Sequence, residues 1–405
     1  MLEFAFAAER ICGTIIGSIT LEPNIDAHIH ERSTFMSKSG TSKFRIENQI
    51  EAASTLPSSF YTDPASYELC KEKVFARSWQ YIGDTDHLKA PGTVHPFTML
   101  EGCLDESLLA TRDFDDELHV LSNVCTHRSM TVAESGGMGD RFLRCRYHGR
   151  RFGLDGCFQA MPEFEGVHNF PSPSDNLAKV PFATWGNNKF LFSSLDPSVP
   201  FEEVMRPITE RLGWLPLQDF AFEPDYARDY LIQANWALYC DNYLEGFHIP
   251  FVHAGLNSLI DYENYSSELY AHTNLQLAPA STDDLVFDLP PSSPDYGKRI
   301  AAYYYWVFPN TMWNFYPWGV SINVVRPLGP ERSRVSFLQY VWDAKKYGQG
   351  AGARLDRVER EDEVIVEAVQ RGVKSRFYNR GRYSPKREMG VHHFHKLLAE
   401  ALEKD

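Results

Sequence analysis

The chain has 405 residues, a formal net charge of −14 and 43% apolar residues. That length leaves room for two domains with cores of their own. The acidic balance opposes nucleic-acid binding, which needs a basic face, and no run approaches the roughly twenty apolar residues of a membrane span.

Residues 1–55 read as a poorly ordered extension. The opening stretch is mildly apolar but lacks a basic n-region, and Glu3, Glu9 and Arg10 interrupt it, against a secretory signal. Glu22, Asp26 and Glu31 argue against a plastid transit peptide, so a cytoplasmic location is expected. Residues 37–43 have linker composition, and Met36 is a second candidate initiator. A helix is predicted over Asp63–Trp79, with Asp63 as its cap and Pro64 in its first turn. Short strands with turn signals then run from about 80 to 192, as in a small β domain.

Two mixed clusters sit inside that stretch: Cys125-Thr126-His127 and, after seventeen intervening residues, Cys145-Arg146-Tyr147-His148. Two thiolates with two imidazoles make the ligand set of a Rieske [2Fe–2S] centre. A structural Cys2His2 zinc site is the bland alternative. Zinc fingers usually group Cys with Cys and His with His, whereas here each cluster is mixed and follows a strand-like run. The seven cysteines, odd in number and widely scattered, do not read as a disulfide framework.

Prolines at 171, 173, 181, 197 and 200 mark the exit from the β domain. After a strand at 226–232, Asn235-Trp236 opens a helical segment carrying Asp241, Glu245 and His248. On one helix these three share a face. Pro250 disfavours continuation beyond Ile249, so His253 can return toward His248 from a turn. Two histidines beside carboxylates in apolar surroundings look like a metal site. Satisfied core histidines are the rival, and they leave the paired carboxylates unexplained.

Strands are predicted at 301–308, 311–316, 320–326 and 334–342. They are dense in aromatics, including Tyr303–Trp306 and Asn310–Trp318. These read either as a sheet packed with aromatics on both faces or as a pocket for a quaternary ammonium. A helix follows with Leu355, Val358, Asp362, Ile365 and Val369 at three–four spacing, which predicts a buried stripe with Asp362 at its middle. Glu359, Glu361, Glu363 and Glu367 fall mostly on the solvated side. A carboxylate on an apolar stripe is costly unless paired or bound to metal. Asp362 therefore completes a 2-His-1-carboxylate set with His248 and His253, the set that leaves open positions on Fe(II). An Asp paired with a buried Arg is the rival. The last helix is predicted at 391–402. Its His392-His393-Phe394-His395 run reads as structural or exposed.

The Cys-Thr-His…Cys-Arg-Tyr-His-Gly arrangement, followed by D/E-x3-D-x2-H-x4-H at residues 241–253 with Glu245 in the second acidic place, resembles the Rieske non-haem iron oxygenases, alpha subunit. Glu245 instead of Asp looks like the choline and carnitine monooxygenase branch. Arg150, where many members have Trp, is expected to alter the docking surface near the second histidine.

The resemblance spans roughly residues 60–402. It implies an α+β chain: an all-β Rieske domain at 80–192 and a helix-grip catalytic domain with an antiparallel sheet, made from 56–79 and 193–405. It implies a [2Fe–2S] cluster on Cys125, His127, Cys145 and His148, and mononuclear Fe(II) on His248, His253 and Asp362. Glu245 is implied as the bridge to a Rieske histidine of a neighbouring subunit in a homotrimer, with Asp241 orienting that bridge. The implied reaction uses O2 and NAD(P)H-derived electrons, delivered by a flavin/iron-sulfur reductase or a ferredoxin, on a small quaternary ammonium substrate. An aromatic or heterocyclic ring oxygenase, a non-catalytic electron carrier and a zinc-stabilised interaction protein are the competing readings.

Overall fold

The described residues of the computed structural model are 43–281, 285–353 and 355–403. The expected extension lies outside them up to residue 42. Its last part does not fit that expectation: Phe44, Ile46 and Ala53 are buried in the main core. Arg380 and Arg382 donate to backbone carbonyls across 43–55, which ties the segment to the C-terminal region.

Helix α1 (Ser58–Thr62) leads to α2 (Pro64–Cys70), where the Asp63 side chain caps the Ala65 N–H. The turns over Lys71–Phe75 are π-helical. The helix expected to reach Trp79 thus ends at Phe75, with Val74 and Phe75 fully buried.

The β region that follows contains β1 (Gln80–Asp84), β2 (Thr93–Met99), β3 (Glu106–Arg112), β4 (Leu118–Ser122) and β5 (Gly137–Met138). Then come β6 (Leu143–Arg144), β7 (Arg151–Phe152), β8 (Phe158–Ala160), β9 (Phe182–Trp185) and β10 (Phe190–Ser193). Sheets β4-β3-β2-β5 and β6-β7-β8 enclose a small core of Val94, Leu109, Leu121, Phe152, Leu154 and Leu177. Cys125 and Cys145 belong to that core. The third sheet, β1-β10-β9, packs elsewhere. Tyr81, Phe190 and Phe192 surround Trp313 of the later sheet, and Tyr81 Oη lies 2.7 Å from Tyr340 Oη.

After α3 (Phe201–Leu212) come β11 (Ala221–Phe222), β12 (Arg228–Ile232), α4 (Trp236–Tyr243), α5 (Ile249–Val252) and α6 (Ala254–Asn257). The chain continues through β13 (Ser266–Leu269), β14 (Thr273–Pro279), β15 (Ile300–Val307), β16 (Thr311–Tyr316), β17 (Gly319–Gly329) and β18 (Arg332–Val341). These eight strands form one antiparallel sheet, ordered β11-β18-β17-β16-β15-β14-β13, with β12 also on β18. Two helices close the fold, α7 (Leu355–Val373) and α8 (Met389–Glu403). The architecture is α+β, as expected.

Side chains alternate across a strand, and the long strands use both faces. Tyr303, Tyr305, Trp313 and Phe315 point into one aromatic core. Between them, Gln276, Tyr304, Asn314 and Ser321 stand opposite one another in register and form a row on the other face. Helix α7 is turned from the expected orientation. Glu359, Val366, Gln370 and Val373 are its buried residues, whereas Ile365 and Val369 are exposed. Polar partners make this possible: Glu359 accepts from Tyr239 Oη and Gln370 accepts from the Asn235 N–H. Among the described residues no helix is long and apolar enough to cross a membrane.

Candidate active site

The two cysteine–histidine clusters occupy loops of the same backbone pattern. The Cys125 N–H donates to the Met130 carbonyl while the Ser129 N–H donates to the Cys125 carbonyl. Cys145 repeats this with Arg150 and Gly149. Each loop turns through a positive φ, 54° at Ser129 and 75° at Gly149; the second is glycine, for which such a turn carries no steric cost.

Both cysteines are buried, His127 is half-buried and His148 is exposed. The imidazole rings meet at 4.7 Å between centroids. Burial raises the Cys125 pKa, the His127 backbone N–H opposes this, and the adjacent Cys145 thiol adds to the rise. His127 Nδ1 is buried without a hydrogen-bond partner. Two crowded thiols and an imidazole lone pair left free are what a metal cluster would complete. Cys70, Cys103 and Cys240 are buried free thiols.

Arg150 does not lie on the docking surface, contrary to expectation. It is 2% exposed, its Nη2 donates to Asp175 Oδ1 at 2.6 Å, and its guanidinium lies over Phe158 at 4.9 Å. Thr126 Oγ1 donates to the Asp175 carbonyl at 2.8 Å, so residue 175 links both ligand loops.

The second site forms where α4 gives way. The helix ends at Tyr243, so the single helical face expected to carry Asp241, Glu245 and His248 does not exist. Gly246 follows, packed so closely on Tyr265 that a Cβ there would lie 2.7 Å from the ring. Glu245, His248 and His253 now face a cavity, together with Asp362 of α7. Asp241 points away from them. It accepts from Tyr61 Oη at 2.9 Å and pairs with His395 Nε2 at 2.8 Å. His395, expected to be structural or exposed, is fully buried, and its Nδ1 lies 2.6 Å from Tyr383 Oη.

His248, His253 and Asp362 bring one ligand atom each within 4.8 Å of one another. His253 Nε2 is 3.0 Å and His248 Nε2 3.5 Å from Asp362 Oδ1. The outer ring nitrogens go to other carboxylates: His248 Nδ1 to Glu245 at 2.7 Å and His253 Nδ1 to Glu361 at 2.8 Å. A carboxylate behind each imidazole fixes its tautomer and raises its basicity toward a metal. Burial acts to lower the His253 pKa, but Asp362 and Glu361 outweigh it and the net shift is upward. Asn242 Nδ2 holds Asp362 Oδ1 at 2.7 Å. Glu361 and Asn242 were missed in the sequence; Glu361 is adjacent to Asp362, but nothing in its spacing marks it out from the other acidic residues of α7.

The cavity measures about 110 Å³. Its walls include Tyr243, Tyr265, Tyr304 and Tyr316, with Glu359 beside Asp362. Trp306 and Trp313, also candidates for a pocket, are core residues instead.

Residues 78–171 match the Rieske [2Fe-2S] domain family, and residues 219–404 match the ring hydroxylating alpha subunit catalytic domain. The chain is 33% identical to a chloroplastic choline monooxygenase of Arabidopsis thaliana, over 87% of this chain and 84% of that one. It is 28% identical to the carnitine monooxygenase oxygenase subunit of Escherichia coli K12, over 87% and 95%. Its fold is similar to that of a quaternary ammonium Rieske monooxygenase of solved structure, with a TM-score of 0.71 at 22% identity, over 89% of this chain and all of that one.

Proposed function

The chain belongs to the Rieske non-haem iron oxygenases, and on that footing we propose that it is the oxygenase component of a multicomponent quaternary ammonium monooxygenase. Its cofactors are a Rieske [2Fe–2S] cluster and mononuclear iron. In this reading Cys125, His127, Cys145 and His148 hold the cluster, and His248, His253 and Asp362 hold Fe(II). The cluster supplies one-electron transfer and the iron supplies dioxygen activation.

The observation that carries the reading is the joining of a 2-His-1-carboxylate group to a tyrosine-walled cavity. Tyrosine faces attract a quaternary ammonium, which has no N–H to donate and is recognised by charge and shape. The protein's own work is positioning. Glu245 and Glu361 fix the two imidazoles, Asn242 fixes Asp362, and the tyrosines set the substrate against the donor group. Asp241 supports this from the far side through Tyr61 and His395 instead of touching Glu245.

The proposal extends to the partners. Electrons originate in NAD(P)H and arrive through a flavin/iron-sulfur reductase or a ferredoxin. The assembly is a homotrimer in the cytoplasm, with Glu245 as the link to a neighbour's cluster. The substrate is a small methylated ammonium compound of choline, betaine or carnitine type. The test is reductase-coupled oxygen consumption by the iron-loaded protein on choline, glycine betaine and carnitine, with aromatic acids alongside. Stoichiometric oxygen uptake with one of the ammonium compounds is expected. Uptake with the aromatic acids alone rejects the substrate class and leaves a ring oxygenase.

A further inference from the structure

None of the described residues that line the active-site cavity is exposed. Whatever reacts there must pass between side chains to arrive. A second cavity, of about 330 Å³, adjoins it. Leu256 of α6, Ala351 of the turn before α7, and Val358 of α7 line both cavities, and all three are half-buried. Gly255, Ser258 and Arg357 line the second cavity only, and all three are exposed. The outer space therefore has solvent-facing residues in its wall and shares three others with the inner one. Glu361 shows how near it comes to the metal-binding group. One oxygen accepts from Arg357 Nε at 3.0 Å, and the other pairs with His253 Nδ1 at 2.8 Å.

We propose that the outer cavity is the passage by which substrate reaches the donor group, with Leu256 as the side chain that moves aside. The assignment rests on the oxygenase reading above and adds the route to its site. Of the three residues common to both cavities, Val358 is branched at Cβ and stiff at χ1, and Ala351 has no χ angle to turn. Leu256 keeps alternative staggered rotamers. The backbone beside Ala351 is held, because Gly352 packs on Trp318 with no room for a Cβ. Leu256 is thus the movable member of the partition. Small residues leave the outer space wide. Ala353 lines it, and Gly255 lies in helical backbone where an added Cβ would meet nothing within 4 Å. No neighbour demands a glycine at 255, so a side chain can be added there without displacing the core.

The test fills the passage from both sides and leaves the inner cavity untouched. Gly255→Phe, Ala353→Phe and the double variant are loaded with iron. The rate at which bipyridine, an Fe(II) chelator, extracts the mononuclear iron is then followed anaerobically by colour. Nitric oxide, a diatomic that needs no wide passage, is the control ligand. Extraction is expected to slow in each single variant and at least tenfold in the double one, with nitric oxide binding at the wild-type rate. Leu256→Ala, which thins the partition, should give faster extraction than wild type. Wild-type extraction rates in the filled variants overturn the assignment. Equal slowing of nitric oxide also overturns it, because the substitutions then disturb the iron and not the approach to it. A slowed chelator beside an unchanged kcat/KM of coupled turnover with choline overturns it as a substrate route. Bipyridine shares no chemistry with an ammonium compound, so its rates judge the passage apart from the substrate class. If the wild type holds no mononuclear iron, the oxygenase reading itself fails and the passage goes with it.

Discussion

Glu245 grips His248 at two points: one carboxylate oxygen accepts from its backbone N–H at 3.0 Å and the other meets its ring Nδ1 at 2.7 Å. Three residues separate them in sequence, and the end of α4 at Tyr243 lets the loop close on itself. The grip fixes the imidazole by its tautomer and by its main chain at once.

Glu245→Gln should therefore keep both metals and slow turnover. An amide still occupies the place but lacks the charge that polarises the ring. Losses of about 10–100-fold are typical when such an outer carboxylate is changed. Single-turnover oxidation of the reduced cluster, with iron analysis on the same sample, reads the effect. Wild-type rates would rule out the bridging role.

Asp362→Ala should strip the mononuclear iron and spare the cluster, because the two donor sets share no residue. Glu361→Gln should act more mildly, weakening iron binding by about 10–100-fold through His253. Metal analysis before and after dialysis against a chelator separates the two variants. Equal iron retention in Asp362→Ala and wild type would remove Asp362 from the ligand set.

Cys145→Ala should abolish the visible absorption of the Rieske cluster while the mononuclear iron is retained. A spectrum like the wild type's would exclude Cys145 as a ligand.

Arg150→Met should destabilise the cluster domain without removing a ligand. Asp175 would be left partly buried with only Ser172 to hold its carboxylate, and breaking a buried pair costs about 3–5 kcal/mol. That figure is an upper bound, since the Asp175 side chain is 18% exposed. Bleaching of the cluster absorption on heating, at a lower temperature than in wild type, is the expected result.

The same pair predicts a dependence on acidity. Burial acts to raise the Asp175 pKa, but the bonds from Arg150 and Ser172 outweigh it and the net value falls below the ordinary 3.8. A carboxyl with a lowered folded-state pKa contributes its full stabilisation above the unfolded value and loses it as pH drops through the folded one. The difference in stability between wild type and Asp175→Asn should therefore be constant above about pH 5 and shrink below about pH 4. A gap that stays undiminished from pH 5 down to pH 3 would contradict the shift.

The grouping of His248 with His253 was legible in the sequence because their spacing is local. The three–five spacing of Glu245, His248 and His253 is visible without knowing the fold. Only the shared helical face fails: helical arithmetic places Asp241 beside Glu245, but the helix stops before Glu245 is reached. The Asp241 partner His395 is 154 residues away, a distance at which no periodicity reports. The face of α7 was also misjudged. Apolar spacing chose Ile365 and Val369, while the inward face is held by Glu359 and Gln370 through hydrogen bonds to Tyr239 and Asn235. Buried polar partners carry no signature in hydropathy. Arg150 stands where the resemblance puts Trp, next to a ligand loop, which suggests an effect on docking; three phenylalanines around it, at 152, 158 and 170, make burial possible instead.

The row Gln276–Tyr304–Asn314–Ser321 alternates with the aromatic core on the same strands. Chemical selectivity and mechanical integrity are thus written on opposite sides of one sheet. Substitutions at even positions such as 304, 314 and 316 can retune what the enzyme accepts while the odd positions 303, 305, 313 and 315 keep it folded. A lineage built this way can change its diet without rebuilding its frame.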